Sequence, residues 1–564
     1  MTFLKRISPY LLILVPVATF YGFFFRYTVN APVNDDYPAV LQFLNSYVTA
    51  GSLHEKLTLI FSQHNEHRIV YDRIWTLISY KLNKNVNFNF LSLIGNLSLL
   101  GIAAIFFWKF RKMNKTAFLF IPVTILLFNL CSWENVIYSM TSLSNFTVHF
   151  FMLLSLVFLA SSTRENTGKV LIAVLFFFAA MMTQGGALML VPVSILILLY
   201  KRAYKNLLIY AIFSALILML YFHNYFQPPT GAGLMPTLLK FKVRSLLFVF
   251  AFLGNAFNYF LIYTNDAQES TGITIIIGFL LFVLFLYITK TKYYTKNLFN
   301  YSVMLLIVMI SVVTALSRAS MGLDMAGASR YRINGILLLI SLYFWYIETY
   351  KAESKRSLAV IMAFSTWYFL MININHYEYL AIMEERGYED ILSYNSGENS
   401  MWNDDKAMTD NQRSTIEQSK KLNVYHPPST ESLVSYFPWS VKQAGMDTTG
   451  NSTLEMVKSV HGIHKVAGDY LIDGFAFLTW ISANKEKVYV GIKNELDKNP
   501  VFFTSNQISR FDLNPFFNKF NLKNGGFRAR IKGEDIMAGE NTVWIMVKVK
   551  DQIKIIETDS KITK

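Results

Sequence analysis

Apolar runs of near-spanning length recur through the first two thirds of the chain, separated by short polar stretches that are often basic. A helix needs about 20 apolar residues to cross ~30 Å of hydrocarbon. The pattern predicts spans at about 8–26, 90–110, 116–132, 147–161, 170–184, 187–201, 207–223, 271–289, 299–317, 333–350 and 357–374. Lys5/Arg6, Arg111/Lys112/Lys115, Lys201/Arg202/Lys205, Lys290/Lys292/Lys296 and Lys351/Lys355/Arg356 then fall on one side. Cytoplasmic loops collect Lys and Arg, so the N-terminus is expected in the cytoplasm and the segment after 374 outside. Residues 238–264 break the scheme, because counting them as a span would put Lys290, Lys292 and Lys296 outside. An interfacial or re-entrant helix is expected instead, broken at Gly254-Asn255, with Lys240, Lys242 and Arg244 at headgroup level. Irregular backbone at membrane depth requires protein or a wet cavity around it. The segment is therefore a candidate wall of a site.

Two regions leave the spanning pattern. In loop 27–89, Val40, Leu41, Phe43, Leu44, Tyr47 and Val48 recur at helical spacing, predicting amphipathic helices on the bilayer surface. Residues 376–428 read as a polar, partly helical linker. From 429 the period changes to two: Lys487–Ile492, Val543–Lys550 and Gln552–Ile556 alternate or run apolar between Gly and Asn turns. The expected fold is a polytopic α-helical membrane domain of about eleven spans over 1–375, followed by the linker and an all-β sandwich over 429–564.

Composition agrees with a bilayer as the solvent. Of 564 residues, 53% are hydrophobic and only 16% charged, against about a quarter charged in soluble domains. The net charge of +15 resides largely in clusters between apolar segments, which fits membrane loops and not a nucleic-acid partner. A single cysteine, Cys131, excludes an intrachain disulfide and a cysteine-rich metal site. The basic N-terminus leads into an apolar run with no small-residue cleavage site and reads as a retained helix. Nucleotide-binding loops, a serine nucleophile elbow and a zinc-protease motif are all missing from the sequence.

Chemistry concentrates in a few polar stretches. Asp35 and Asp36 follow the first span in Asn34-Asp35-Asp36-Tyr37-Pro38. A carboxylate there suits deprotonation of a hydroxyl or capture of a divalent cation; equally, one of them suits the N-cap of the next helix, with Pro38 in its first turn. Gln63-His64-Asn65-Glu66-His67-Arg68 is dense in groups for phosphate or sugar, and on a helix His64 and His67 would share a face. No third ligand at a diagnostic distance accompanies them, which argues against zinc. Arg318, Arg330 and Arg332, with Tyr331, occupy a loop rich in small residues at the extracytoplasmic mouth, against the positive-inside tendency. Arginine there suits bidentate phosphate capture, whereas lipid anchoring would be served as readily by lysine. Glu134, in Trp133-Glu134-Asn135, and Lys242 with Arg244 on the candidate wall are further candidate substrate contacts. Gln184 lies in another extracytoplasmic span end, and the isolated His149, His223 and His376 are assigned to structure.

Together, Asn34-Asp35-Asp36-Tyr37, His64-Asn65-Glu66-His67-Arg68, Ser317-Arg318-Ala319 and Ser329-Arg330-Tyr331 resemble the GT-C superfamily of integral membrane glycosyltransferases. The pattern looks like bacterial members related to the serotype-converting O-antigen glucosyltransferases, over residues 1–375. The resemblance implies an inverting transfer of a hexose such as glucose from a polyprenyl-phosphate donor to a glycan or lipid-linked glycan. That chemistry would occur on the periplasmic side of a bacterial inner membrane. Asp35 would be the base, with Asp36 as the alternative; Arg330, Arg318 and Arg332 would hold the donor phosphate, and His64, Glu66, His67 and Arg68 its phosphate or sugar pocket. Some members use a divalent cation and others none, so a metal stays open. Alternatives within the fold are an O-antigen polymerase or ligase and a lipid A or protein-modifying enzyme. Outside it stand a lipid-linked-glycan transporter or flippase, and a binding protein merely anchored by its helices.

Overall fold

The computed structural model describes residues 2–226, 234–258, 267–350, 354–396, 406–434, 437–443 and 452–564, except 467, 480, 509, 511–521, 523 and 551. The chain forms two compact units: Met1–Thr28, Pro32–Leu380 and Glu417–Tyr425 make the first, and Val29–Ala31, Ala381–Ile416 and His426–Lys564 the second. The expected linker is thus divided. Its stretch Glu417–Tyr425 belongs to the first unit, where Val424 O accepts from Val86 N at 2.9 Å and buried Tyr425 packs edge-on against Phe88 at 5.3 Å.

Among the described residues of the chain, eight helices are long and apolar enough to cross a membrane. Each of the eleven segments expected as spans contains helix, but Thr167–Met181 and Gly185–Tyr200 are shorter and Arg332–Thr349 is not among the eight. Outward faces carry exposed Leu175, Leu208, Leu216 and Leu280, which suit lipid and not water. Inward faces interlock through aromatic rings, including Phe106 against Phe344 at 5.4 Å. Close approach is possible where side chains vanish: a Cβ on Gly278 would lie 1.7 Å from Phe250 O, and one on Gly254 2.1 Å from Thr274 O.

Helix ends of the first unit sort into two faces. At one, Lys201 Nζ donates to the carbonyls of Leu159, Ala160 and Ser162 at 2.7–2.9 Å, Lys109 lies 4.5 Å from the Phe299 ring, and Lys296 Nζ reaches Glu348 O at 2.5 Å. Lysines there satisfy the open carbonyls and the negative dipole end of helices. The other face gathers loops 32–36, 133–139, 182–186 and 319–331. At this second face Phe226 O accepts from Gln63 Nε2 at 2.7 Å, and Asn255 and Asn258 donate to Ala326 O and Gly327 O at 3.3 and 3.0 Å. Of segment 238–264, residues 259–264 lie outside the described residues. Its main helix, Lys242–Leu253, has 12 residues, about 18 Å of rise, which is too short to cross.

Loop 27–89 folds into short helices at Tyr37–Gln42, Phe43–Thr49, Leu53–Phe61 and Val70–Asn83, with a hairpin between the last two. Ser52 caps the third by accepting from Glu55 N at 3.2 Å, while Glu55 accepts from Gly51 N at 2.9 Å. The hairpin pairs β1 (Gln63–His64) with β2 (His67–Arg68), so the helical reading of this stretch is wrong. Asn65 adopts φ +47°, a left-handed conformation that asparagine tolerates and that turns the chain within two residues.

The second unit contains two four-stranded antiparallel sheets. Their strands are β3 (Met456–Val466), β4 (Asp469–Leu478), β5 (Lys487–Asn494), β6 (Val501–Thr504), β7 (Asn506–Ile508), β8 (Gly526–Ile531), β9 (Glu540–Val549) and β10 (Gln552–Thr563). The orders are β10-β9-β5-β6 and β3-β4-β8-β7. Alternating Val488, Val490 and Ile492 of β5 and Val543, Ile545 and Val547 of β9 share a core with Ile472 of β4 and Ala529 of β8. The period-two signal at β5, β9 and β10 is therefore realised as strands.

Candidate functional site

The adjacent aspartates take different positions because successive side chains leave the backbone in different directions. Asp36 is 1% exposed. Its Oδ1 accepts from Ser139 Oγ at 2.5 Å and Met140 N at 3.0 Å, and Oδ2 from Val33 N at 3.1 Å. Burial pushes its pKa up to about 7 against those hydrogen bonds. The carboxylate does not cap the following helix in the way expected; it fastens the loop to the start of helix Ser139–Thr141. Its role as alternative base is thereby displaced, since no face of it remains for a substrate. Asp35 is half-buried, and its backbone N donates to Tyr138 Oη at 2.5 Å. Among the described residues its carboxylate accepts no hydrogen bond, and its charge acts on both His64 and Arg330.

The hairpin directs His64 and His67, which are cross-strand partners, to one side. Burial, opposed by Asp35 and assisted by Arg73 and His67, lowers His64 to about 4. Burial and the charge of Arg330 do the same to His67. Both are neutral at pH 7. His67 Nδ1 accepts from Gly185 N at 3.3 Å, which holds the hairpin against loop 182–186. Arg68, expected in the donor pocket, is 8% exposed; its guanidinium bonds Tyr221 O at 2.6 Å and the carbonyls of Phe61 and His223. It belongs to the scaffold, because its donors already close the loop.

The arginine loop separates its three residues as sharply. Arg332 is 3% exposed, donating from Nε to Gly327 O at 2.9 Å and from Nη1 to Cys131 O at 3.0 Å and His376 Nε2 at 2.6 Å. It is a brace and not a phosphate ligand. Arg318, at the end of helix Leu298–Arg318, forms an ion pair with Glu66 of the hairpin turn. Arg330 is half-buried and 5.6 Å from the Tyr331 ring, and among the described residues its guanidinium makes no hydrogen bond. Burial works against its charge, but Tyr331, Glu134 and Asp35 outweigh that and raise its pKa. Glu134 sets the loop, accepting at Oε2 from Ser329 Oγ at 2.5 Å and Arg330 N at 3.1 Å. Asn135 Nδ2 adds a bond to Arg330 O at 3.1 Å.

Of these groups, Glu66, His67, Arg318 and Tyr331 line a cleft of about 230 Å³ together with Asn145 and Gln184, whereas Asp35, His64 and Arg330 are not among its described lining residues. Phe252, on helix Lys242–Leu253, supplies part of its wall, whereas exposed Lys242 and Arg244 do not line it. The cleft floor is a network absent from the sequence reading: Gln184 Nε2 donates to Asn145 Oδ1 at 2.8 Å, Asn145 Nδ2 to Asn135 Oδ1 at 3.2 Å, and His149 links Asn145 O to Asn334 Oδ1 at 2.6 and 2.9 Å. Isolated amides in apolar helices are the signal that would have found it, since such groups need partners there. Among the described residues no group of three or more His, Cys, Asp or Glu is placed to hold a metal ion.

The arrangement brings a half-buried carboxylate, two neutral imidazoles and a guanidinium without a protein acceptor to one face of the helices. It has the parts for proton removal beside an anion. Comparison of the chain with family models, characterised proteins and solved structures finds no match.

Proposed function

We propose that this chain is a membrane-embedded inverting glycosyltransferase of the GT-C type. It moves a hexose from a polyprenyl-phosphate donor to a glycan acceptor at the extracytoplasmic face of a bacterial inner membrane. In this reading all eleven apolar segments are membrane helices, the basic helix ends face the cytoplasm, and the paired sheets form an extracytoplasmic β-sandwich. The acceptor hydroxyl oxygen attacks the anomeric carbon and Asp35 takes its proton. The bond from that carbon to the phosphate oxygen breaks, and polyprenyl phosphate leaves with the electron pair. Arg330 stabilises the charge that develops on it, and Arg318 joins when Glu66 releases it. Direct displacement inverts the anomeric configuration.

The observation that supports this reading is that Asp35, whose carboxylate accepts no hydrogen bond, lies near enough to act electrostatically on Arg330, whose guanidinium donates none, among the described residues. Detergent-purified protein incubated with undecaprenyl-phosphate hexoses and extracted surface glycan should release undecaprenyl phosphate with sugar transfer. Asp35→Asn should reduce transfer by about 10²–10⁴-fold. Full activity in a correctly inserted Asp35→Asn variant would overturn the assignment.

A further inference from the structure

A second cleft, of about 280 Å³, opens on the other side of the loop that carries Arg330. Trp133 and Tyr379 form one wall, stacked at 5.0 Å with ring planes 8° apart. Glu134, exposed Asp324 and the buried amide Asn258 supply polar groups. Among the described residues its one guanidinium, Arg332, is held by Gly327 O, Cys131 O and His376. Two carboxylates with the described guanidinium already engaged disfavour a phosphate. Flat aromatic surface beside acceptors for hydroxyl hydrogens suits a neutral, polyhydroxylated ligand with an apolar ring face. Glu134 also ties this cleft to the loop of Arg330, since its Oε2 accepts from Ser329 Oγ and Arg330 N.

We propose that this second cleft binds a saccharide, the sugar acceptor, with Trp133 and Tyr379 under its ring and Glu134 and Asp324 on its hydroxyls. The identification as acceptor rests on the transferase reading; saccharide binding itself does not. Saturation-transfer NMR on the detergent-purified full chain, with maltose, cellobiose and N,N′-diacetylchitobiose as probes, tests it. At least one disaccharide should bind, and Trp133→Ala and Asp324→Asn should each weaken binding about tenfold. Asp324 is exposed, so its variant keeps the test sound if Trp133→Ala misfolds. Undecaprenyl phosphate, the probe for the first cleft, should leave saccharide binding unchanged. No binding to the wild type below about 10 mM, unaltered binding to both variants, or displacement by undecaprenyl phosphate would overturn the proposal. Transfer is scored separately: binding that depends on Trp133 and Asp324 with no transfer from any donor would support the cleft and sink the transferase.

Discussion

Arg330 in the first unit and Arg528 in the second are the same residue in opposite situations. Arg528 is 1% exposed, donates to Glu385 Oε2 at 2.6 Å, stands 4.0 Å from Glu389 and lies 4.4 Å over the Phe437 ring. Its charge has been answered by carboxylates of the same unit, which fasten helix residues 381–396 to the sheet. Arg330 has nearby negative charge but no hydrogen-bond acceptor among the described residues. A buried cation with partners in place is architecture, and removing it strands the partners. A cation held in position with its donors unused can still donate to an anionic group. Asp36 and Asp35 repeat the contrast with the sign of charge reversed.

The contrast can be broken most decisively at Arg528. Arg528→Ala should destabilise the second unit by about 3–5 kcal/mol, read as early loss of sheet signal in thermal or denaturant unfolding. Arg330→Ala should cost the first unit less than about 1 kcal/mol in the same measurement; equal losses would erase the distinction. In transfer assays Arg330→Ala should slow turnover by about 10²–10³-fold, roughly 3–4 kcal/mol. Arg330→Lys should restore only part, because a point charge lacks the bidentate fork. Between the aspartates, Asp36→Ala should lower stability by about 1–3 kcal/mol through orphaned donors, whereas Asp35→Ala should shift it by about 0.5 kcal/mol or less. Thermal-shift curves on purified variants would decide this, and a larger loss at Asp35 would invert the assignment.

The smallest effects are pH slopes of opposite sign within one loop. His64 and His67 sit at about 4, below the ordinary value near 6.5. Their contribution is present above about 6.5 and lost as pH falls through 4. Asp36 sits at about 7, above its ordinary 3.8, so its contribution is full below about 4 and lost as pH rises through 7. Hydrogen exchange corrected for intrinsic rates should show hairpin amides losing protection between pH 6.5 and 4. The 33–36 turn should lose it between pH 4 and 7. Parallel profiles would contradict the assigned environments.

Apolar length, basic loop ends and period-two strands were legible in the sequence because each is local: a dozen neighbouring residues create the signal. The end of helix Lys242–Leu253 was legible too, at the break expected at Gly254-Asn255. The hairpin at 63–68 was not, since its polar residues carry no period and the turn depends on the backbone angle of Asn65. Nor did residue type separate the site from its scaffold. Asp35 from Asp36, and Arg330 from Arg68 and Arg332, are identical in chemistry and differ only in whether partners distant in sequence reach them.

By itself, the sequence determined that this chain belongs in a bilayer, where its helices break and which face of them gathers acidic, imidazole and arginine groups. Only the tertiary structure decided which of those groups are already satisfied. Ser139 and Met140 reach Asp36, Cys131 O and His376 reach Arg332, and the Asp35 carboxylate and Arg330 guanidinium are left without hydrogen bonds among the described residues. A hydrogen bond needs its partner within about 3 Å, and these partners, 44 to 201 residues away along the chain, are brought that close by packing alone.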